Sequence, residues 1–383
     1  MIKAKRKIIL ISTTNDDVSG ASKALIELAV GLKRADNDVI VVLPAHGNLE
    51  PVFKELKIPV LVFKVYNTWF VWGKNSRIEY YVKRTLNYLK FLKIKRFLKI
   101  ESPDIVHMNA LTSFGFAKCA EDMHIPVVWH IREFMKEDLG LSFVDEEYSF
   151  KILNKATDFL AISKAIKEKW QRKIHVPINV VYDGVPISNY LVKNKQLDTQ
   201  VCRIILYGRF VPGKGQLFFL QGIHKLISDH KDINIKCYLA GRIEDRQYYQ
   251  KCMNYIKSNG LENYVQYIGE INNIKELLSD KDIVSVCSKQ EGFGRVTVEG
   301  MLGKCIVVAA NSGASGEIIE DGKTGFLYQS NNIDNFADKM YEAIKNRTSK
   351  ISENAQNYAK QQFSTQRNVD EIIKIYEKIG KNK

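Results

Sequence analysis

Short apolar runs alternate with longer stretches of helical periodicity along almost the whole of this 383-residue chain. In the first half, apolar and β-branched runs at 7–12, 38–43, 60–63, 104–108, 127–131, 158–162 and 179–182 predict strands. Apolar residues at i, i+3 and i+4 predict helices over 21–35, 79–100, 113–123 and 163–173. The pattern restarts with strands at 203–207, 233–240, 265–268, 282–287, 305–309 and 326–328. Helices are predicted over 215–228, 246–259, 273–279, 295–302 and 333–345, with a last amphipathic pattern at 368–379. Strands that alternate with helices imply parallel sheets covered on both faces. The restart follows a polar, aperiodic stretch, so the fold class expected is α/β with two doubly wound, Rossmann-like domains facing a central cleft. The first spans 1–183, a linker 184–200, and the second 201–365, with a terminal helix at 366–383 crossing back onto the first. In such folds ligands bind outside the carboxyl ends of the strands.

Composition narrows the setting. At 45% hydrophobic and 26% charged the chain is globular. Cys119, Cys202, Cys237, Cys252, Cys287 and Cys305 show neither disulfide nor metal spacing, and several sit in strand runs. Buried reduced thiols and a reducing compartment follow. The apolar run 8–11 behind Lys3, Lys5, Arg6 and Lys7 is too short for a signal segment, and no stretch is long enough to span a bilayer. A cytoplasmic location is expected.

The net charge of +14 points to anionic partners. Part of the excess is concentrated at 81–100, with seven Lys or Arg and no acid. Val82, Leu86, Leu89, Phe97 and Ile100 fall along one helical stripe, while Phe91, Ile94 and Leu98 lie elsewhere on the wheel. The segment fits a helix lying on an anionic membrane, peripheral at its inner face. It also fits a solvated basic helix packed on the sheet by its stripe; three apolar residues without a core face favour the membrane. Zinc spacing, an RNA-binding aromatic motif and a helix-turn-helix are all missing, so nucleic acid is not expected as a partner.

Four segments at strand ends carry candidate chemistry. Glu291-Gly292-Phe293-Gly294-Arg295 follows a strand and opens a helix that contains Glu299. Glycines there let backbone N–H groups approach an anion, while the two acids repel phosphate and suit sugar hydroxyls. The segment reads as a site for a ligand with both groups, or as an ordinary glycine turn before a helix. Arg209 and Lys214 flank a Pro-Gly turn after the first strand of the second half. Two cations there suit a diphosphate, one by its fork and one as a point charge, or are simply solvated. His130 ends an apolar strand, and is open to donating to a hydroxyl, relaying a proton, or a structural hydrogen bond. His107 has the same ambiguity. Ser19-Gly20 lies before the first helix, whose N-terminus favours an anion or a carbohydrate oxygen, or forms a plain β–α turn. A G-x-G-x-x-G dinucleotide fingerprint is missing, which argues against a nicotinamide oxidoreductase.

In order along the chain, Gly208-Arg209 with Lys214-Gly215, Glu291-Gly-Phe-Gly with Glu299, Gly316-Glu317, and Gly322 with Gly325 resemble the retaining glycosyltransferases of the GT-B fold often called family 4. The 127–130 run resembles that family's strand ending in the active-site His. The resemblance implies four catalytic groups: Arg209 and Lys214 on the donor diphosphate, Glu291 on donor-sugar hydroxyls, and His130 on the sugar from the other domain. Backbone at Gly292, Phe293 and Gly294 would cradle sugar and phosphate, and Glu299 would accept from the ribose. Gly241, Arg242 and Ile271 would flank the nucleobase, and Ser19 and Gly20 would line the acceptor side. Two positions differ from many relatives: Arg295 stands where an aliphatic residue is usual, and Ser19-Gly20 where two glycines are.

The resemblance further implies a reaction. A hexose-type sugar would pass from a UDP- or GDP-linked donor, a substrate rather than a cofactor, to a hydroxyl of a glycan or lipid-linked glycan with retained anomeric configuration. Capsule, O-antigen or exopolysaccharide assembly is the expected setting. Cations would replace a divalent metal. A nucleotide-sugar epimerase of the same fold and a noncatalytic sugar-nucleotide-binding scaffold are the alternatives. Glu291 is expected to be solvent-accessible.

Overall fold

The computed structural model describes residues 5–64, 70–72, 77–111, 114–195, 198 and 200–381. Lys3, Ser113, three of the expected linker residues and the last two residues of the expected terminal helix lie outside these. The chain divides into two compact units, Met1–Gly184 with Thr365–Lys383, and Val185–Ser364.

In chain order the strands of the first unit are β1 (Lys7–Ile11), β2 (Asp38–Leu43), β3 (Val60–Val62), β4 (Phe70–Trp72), β5 (Ile105–Met108), β6 (Val127–Ile131), β7 (Leu141–Phe143), β8 (Asp158–Ala161) and β9 (Ile178–Val180). Seven form a parallel sheet in the order β3-β2-β1-β5-β6-β8-β9, while β4 and β7 pair antiparallel on their own. The central strands β1, β5, β6 and β8 are buried on both faces, which is why they read as continuous apolar runs. The terminal helix Thr365–Lys381 packs on helix Gly20–Arg34, and Val369, Ile372, Ile373 and Tyr376 join the core of Ile8, Leu10, Leu25 and Leu28.

The second unit holds β10 (Cys202–Tyr207), β11 (Ile235–Ala240), β12 (Val265–Tyr267), β13 (Ile283–Val286), β14 (Ile306–Ala310) and β15 (Phe326–Tyr328). They form a parallel six-stranded sheet in the order β12-β11-β10-β13-β14-β15. Its core runs from Ile204 and Leu206 through Phe219 and Ile223 to Val308 and Phe336. In both sheets the order reverses beside the first strand, giving switch points between β1 and β5 and between β10 and β13.

Two expectations need correction. Much of the stretch read as a linker is packed in the second unit: Val185, Tyr190 and Val192 are buried, Val185 N–H donates to Phe363 O, and Gln356 donates to Val192 O. Its few apolar residues anchor it, although its overall polarity hides them. On helix Arg77–Glu101 the faces are reversed except at Phe97. Ile94 and Leu98 are fully buried; Phe91 is half-buried, edge-on to Phe114, and its carbonyl accepts from the Cys119 thiol, while Phe97 is half-buried and edge-on to Phe116. Val82, Leu86, Leu89 and Ile100 are exposed. The basic residues lie on both faces, so charge did not mark the outward one. All six cysteines are buried and free. Among the described residues no helix is long and apolar enough to cross a membrane.

Candidate active site

The charged residues of the second unit gather where β10 and β13 end. Beyond β10 the chain turns through Pro212–Lys214 and enters helix Gln216–Asp229. Gly215 joins them with φ 73°, and a Cβ there would lie 2.1 Å from Cys287 O, so only glycine lets this turn seat against the end of β13. Lys289 N–H donates to Gly213 O, and Ala314 N–H donates to Glu291 O. The segment from 287 to 291 is thereby clamped between two turns. Lys214 Nζ donates to Glu291 Oε1 at 2.6 Å.

Glu291 was expected to be open, yet its side chain is 13% exposed. Burial works against its carboxylate, but Lys214's charge and hydrogen bond, a bond from Ser288 and the charge of Arg209 outweigh it and hold the carboxyl below its ordinary value. Around the pair lies a cavity of about 10 Å³, lined also by Leu206, Tyr207, Ser288 and Val296. A larger cavity of about 220 Å³ shares Cys287 and Ser288, but its walls are mainly apolar, from Leu217, Phe218, Tyr248 and Tyr328. None of Arg209, Lys214, Glu291 and Glu299 lines it.

Gly294 caps helix Arg295–Leu302 in the left-handed region and offers the first-turn N–H groups no side-chain acceptor. Gly292 is half-buried, and Phe293 is a core anchor, edge-on to Phe363 at 5.7 Å. Glu299 is 5% exposed and accepts from Tyr207 Oη at 3.1 Å. Burial first, then Glu299, pushes the Tyr207 phenol up, so it stays a donor. Arg295 Nε lies 3.8 Å from Glu299 Oε1 with its side chain 12% exposed, so it points inward rather than to solvent.

Arg209 is 60% exposed and pairs with Glu244, which also holds Arg242. Glu244 was missed by sequence reading because it is three residues past the nearest glycine and belongs to no motif. Gly241 donates its N–H to Gly269 O, and Ile271 is half-buried beyond β12. The Gly322–Gly325 turn closes on itself: Gly322 N–H donates to Gly325 O, and Asp321 accepts from Leu327 N–H.

In the first unit, Ser19 caps helix Gly20–Arg34 by accepting from Ser22 N–H, and its hydroxyl bonds that of Ser22, which in turn bonds Thr14. His130 and His107 are fully buried with ring centroids 5.4 Å apart. His130 Nδ1 is 3.2 Å from an Arg132 nitrogen, and His107 Nδ1 is 2.7 Å from Tyr376 Oη. Burial foremost, then Arg132, holds His107 down to about 3. His130 is lowered by burial, then by Arg132 and His107. Arg132 Nε donates to Asn109 O and Oδ1, each at 3.0 Å, and its Nη1 pairs with Asp183 at 2.5 Å. Glu133 accepts from the Leu111 and Arg132 N–H groups, yet burial pushes its carboxyl up to about 7. Arg132 and Glu133, next to His130 in the chain, were given no role by sequence reading, and Asn109, Asp183 and Tyr376 carry no local signal.

Residues 191–362 match the model of the glycosyl transferases group 1, and residues 18–189 that of glycosyltransferase family 4. An uncharacterized glycosyltransferase of Methanocaldococcus jannaschii is 30% identical over 295 residues, 75% of this chain and 78% of that protein. The capsular polysaccharide biosynthesis glycosyltransferase CapH of Staphylococcus aureus is 29% identical over 246 residues, 60% of this chain and 64% of CapH. The crystal structure of HepE from Anabaena in complex with UDP and glucose superposes with a TM-score of 0.78 at 22% identity, covering 97% of this chain and 100% of HepE; at that identity it speaks for the fold. With both halves matched and the archaeal relative covered over most of its length, the chain belongs to the family 4 type glycosyltransferases of the GT-B fold.

Proposed function

We propose that this glycosyltransferase moves a hexose-type sugar, with retention at the anomeric carbon, from a UDP- or GDP-linked donor to a hydroxyl of a glycan or lipid-linked glycan. The observation that carries this reading is the Lys214–Glu291 pair, seated at the β10–β13 switch point beside Glu299 and a glycine-capped helix. Lys214 and Arg209 take the donor diphosphate and stabilise charge on the leaving nucleotide. Glu291 accepts from sugar hydroxyls and Glu299 from the ribose. The backbone of Gly292, Phe293 and Gly294 cradles the sugar and phosphate. Gly241, Arg242 and Ile271 border the base, His130 contacts the sugar, and Ser19 and Gly20 face the acceptor. The acceptor's proton passes to the departing diphosphate oxygen, and the two cations take the place of a divalent metal. CapH, named for capsular polysaccharide biosynthesis, supports a similar setting here.

A screen of UDP- and GDP-sugars with glycan and lipid-linked acceptors tests this, read by free nucleotide, with the product anomer assigned by NMR and EDTA in a parallel arm. Transfer in EDTA with the donor's anomeric configuration is expected. An epimer formed from donor alone, an inverted product or a metal requirement overturns the corresponding part.

The same enzyme is proposed to work at an anionic membrane face. Val82, Tyr88, Leu89 and Leu92 project from helix Arg77–Glu101, with Tyr88 at 74% and Leu92 at 72% exposure. Lys93, Arg96 and Lys99 extend the same outward side toward the helix end. Apolar residues followed by cations match the acyl and headgroup layers of an anionic bilayer. Vesicles containing anionic lipid are expected to sediment the protein and purely zwitterionic ones to leave it in solution. Leu89→Glu with Leu92→Glu lowers partitioning roughly tenfold or more. Equal binding to both vesicle types removes the proposal.

A further inference from the structure

We infer that Arg132 is a positioning residue that fixes His130 as a neutral hydrogen-bond donor, with its proton on Nε2. This rests on the reading above in which His130 touches the transferred sugar, and it chooses between the donating and relaying roles.

A guanidinium has five N–H donors and no acceptor. Its approach to His130 Nδ1 at 3.2 Å therefore requires a lone pair on that nitrogen. A neutral ring without a proton on Nδ1 carries it on Nε2. The imidazolium form would set N–H against N–H and one positive charge against another. Arg132 has little freedom to turn away. Nε is occupied by both oxygens of Asn109 and Nη1 by Asp183, so Nη2 is the nitrogen aimed at the ring.

Each element packed around His130 agrees. His107 on β5 stands edge-to-face and is tied to Tyr376 Oη from the terminal helix. Leu160, its register partner on β8, is apolar. The acids nearby are Asp183, already paired with Arg132, and Glu133, which accepts from backbone N–H groups. No carboxylate among these contacts favours a charged ring.

His130 Nε2 is buried and has no hydrogen-bond partner in the described structure. A buried N–H without an acceptor is destabilising, and such groups in native proteins usually have a functional reason. A sugar hydroxyl oxygen is the acceptor this donor suits. The same arrangement bars a proton relay: Nδ1 is covered by a donor, and Nε2 already holds its hydrogen. The proton of the acceptor hydroxyl must leave by another group.

The test is the ring ¹⁵N spectrum of the full chain labelled at histidine, followed between about pH 5 and 8 where an ordinary imidazole titrates. The His130 signals, assigned by their loss in His130→Gln, are expected to keep the Nε2–H pattern throughout. An Nδ1–H pattern, or titration near the ordinary value of about 6.5, overturns the inference without any enzymatic assay. In Arg132→Met the ring, still buried, is expected to become a mixture of the two neutral tautomers. Transfer is then expected to fall roughly 10- to 100-fold in kcat/KM, as for a misplaced contact group. Arg132→Lys, also a pure donor, is expected to restore part of both. If Arg132→Met does not fold because Asp183 is left unpaired, the double variant Arg132→Met with Asp183→Asn carries the comparison. A fixed Nε2–H ring in a protein that transfers no sugar would leave the tautomer assignment standing and remove the sugar contact.

Discussion

Both units place ion pairs near the ends of strands with the same winding order, yet the pairs are built for opposite purposes. In the first unit Arg132 and Asp183 are each 6% exposed, and each of the three guanidinium nitrogens has a partner. In the second, Lys214 is 29% exposed and Arg209 60%, each with one carboxylate partner. A buried pair is costly to break because the surviving charge cannot reach water, whereas Arg209 and, less fully, Lys214 keep contact with water and exchange partners more cheaply, although Glu291 itself is 13% exposed. The first arrangement therefore holds a ring in one state, and the second leaves its cations able to exchange partners, as the proposed diphosphate role requires.

The sharpest way to break this contrast is to remove Asp183. Asp183→Ala leaves Arg132 charged and buried, and a loss of about 3–5 kcal/mol in unfolding free energy is expected from denaturant titration. A loss below about 1 kcal/mol would mean that Arg132 finds water or a new partner, and that the first unit is no more rigid at this point than the second.

Glu291→Gln makes the matching cut in the second unit and should register in activity rather than in the fold. Lys214 can turn to solvent, so unfolding free energy is expected to change by about 1 kcal/mol or less. Losing the charged acceptor removes roughly 1.5–3 kcal/mol of interaction with sugar hydroxyls, about a 10- to 150-fold drop in transfer. Normal transfer would show that Glu291 serves only to pair Lys214.

These two outcomes bear on what could be read from the chain alone. The second unit's site was legible because its residues lie next to strand ends that apolar runs marked, and because glycines flag the turns: Gly215, for example, is forced by its contact with Cys287 O. The first unit's network was not. His130 could be seen at the end of its strand, but Asn109, Asp183 and Tyr376 come from three separate segments and meet only through the sheet order β5-β6-β8-β9 and the returning helix. The strands of the two large sheets were readable as apolar runs, most plainly those buried on both faces; β11 and β12 alternate, with Lys236 and Gln266 exposed between buried or half-buried neighbours. The β4–β7 pair and the helices Glu146–Leu153 and Ile351–Gln362 were not, being short or rich in polar residues. On helix Arg77–Glu101 the wheel was drawn correctly and its faces exchanged except at Phe97, because cations placed on both sides gave the pattern no polarity.

Glu244→Gln gives the smallest effect and the finest test of the contrast. Arg209 is well exposed, so stability is expected to shift by no more than about 0.5 kcal/mol. What should change is competition: Glu244 holds both Arg209 and Arg242, and a diphosphate bound as proposed would have to displace it. Neutralising it is expected to tighten UDP or GDP binding a few-fold by calorimetry, roughly 1 kcal/mol, with a steeper loss of affinity as salt is added. Weaker nucleotide binding would reverse the assignment, since Glu244 would then be aiming Arg209 in the way Asp183 fixes Arg132, and the second unit would hold a preset cation rather than an exchangeable one.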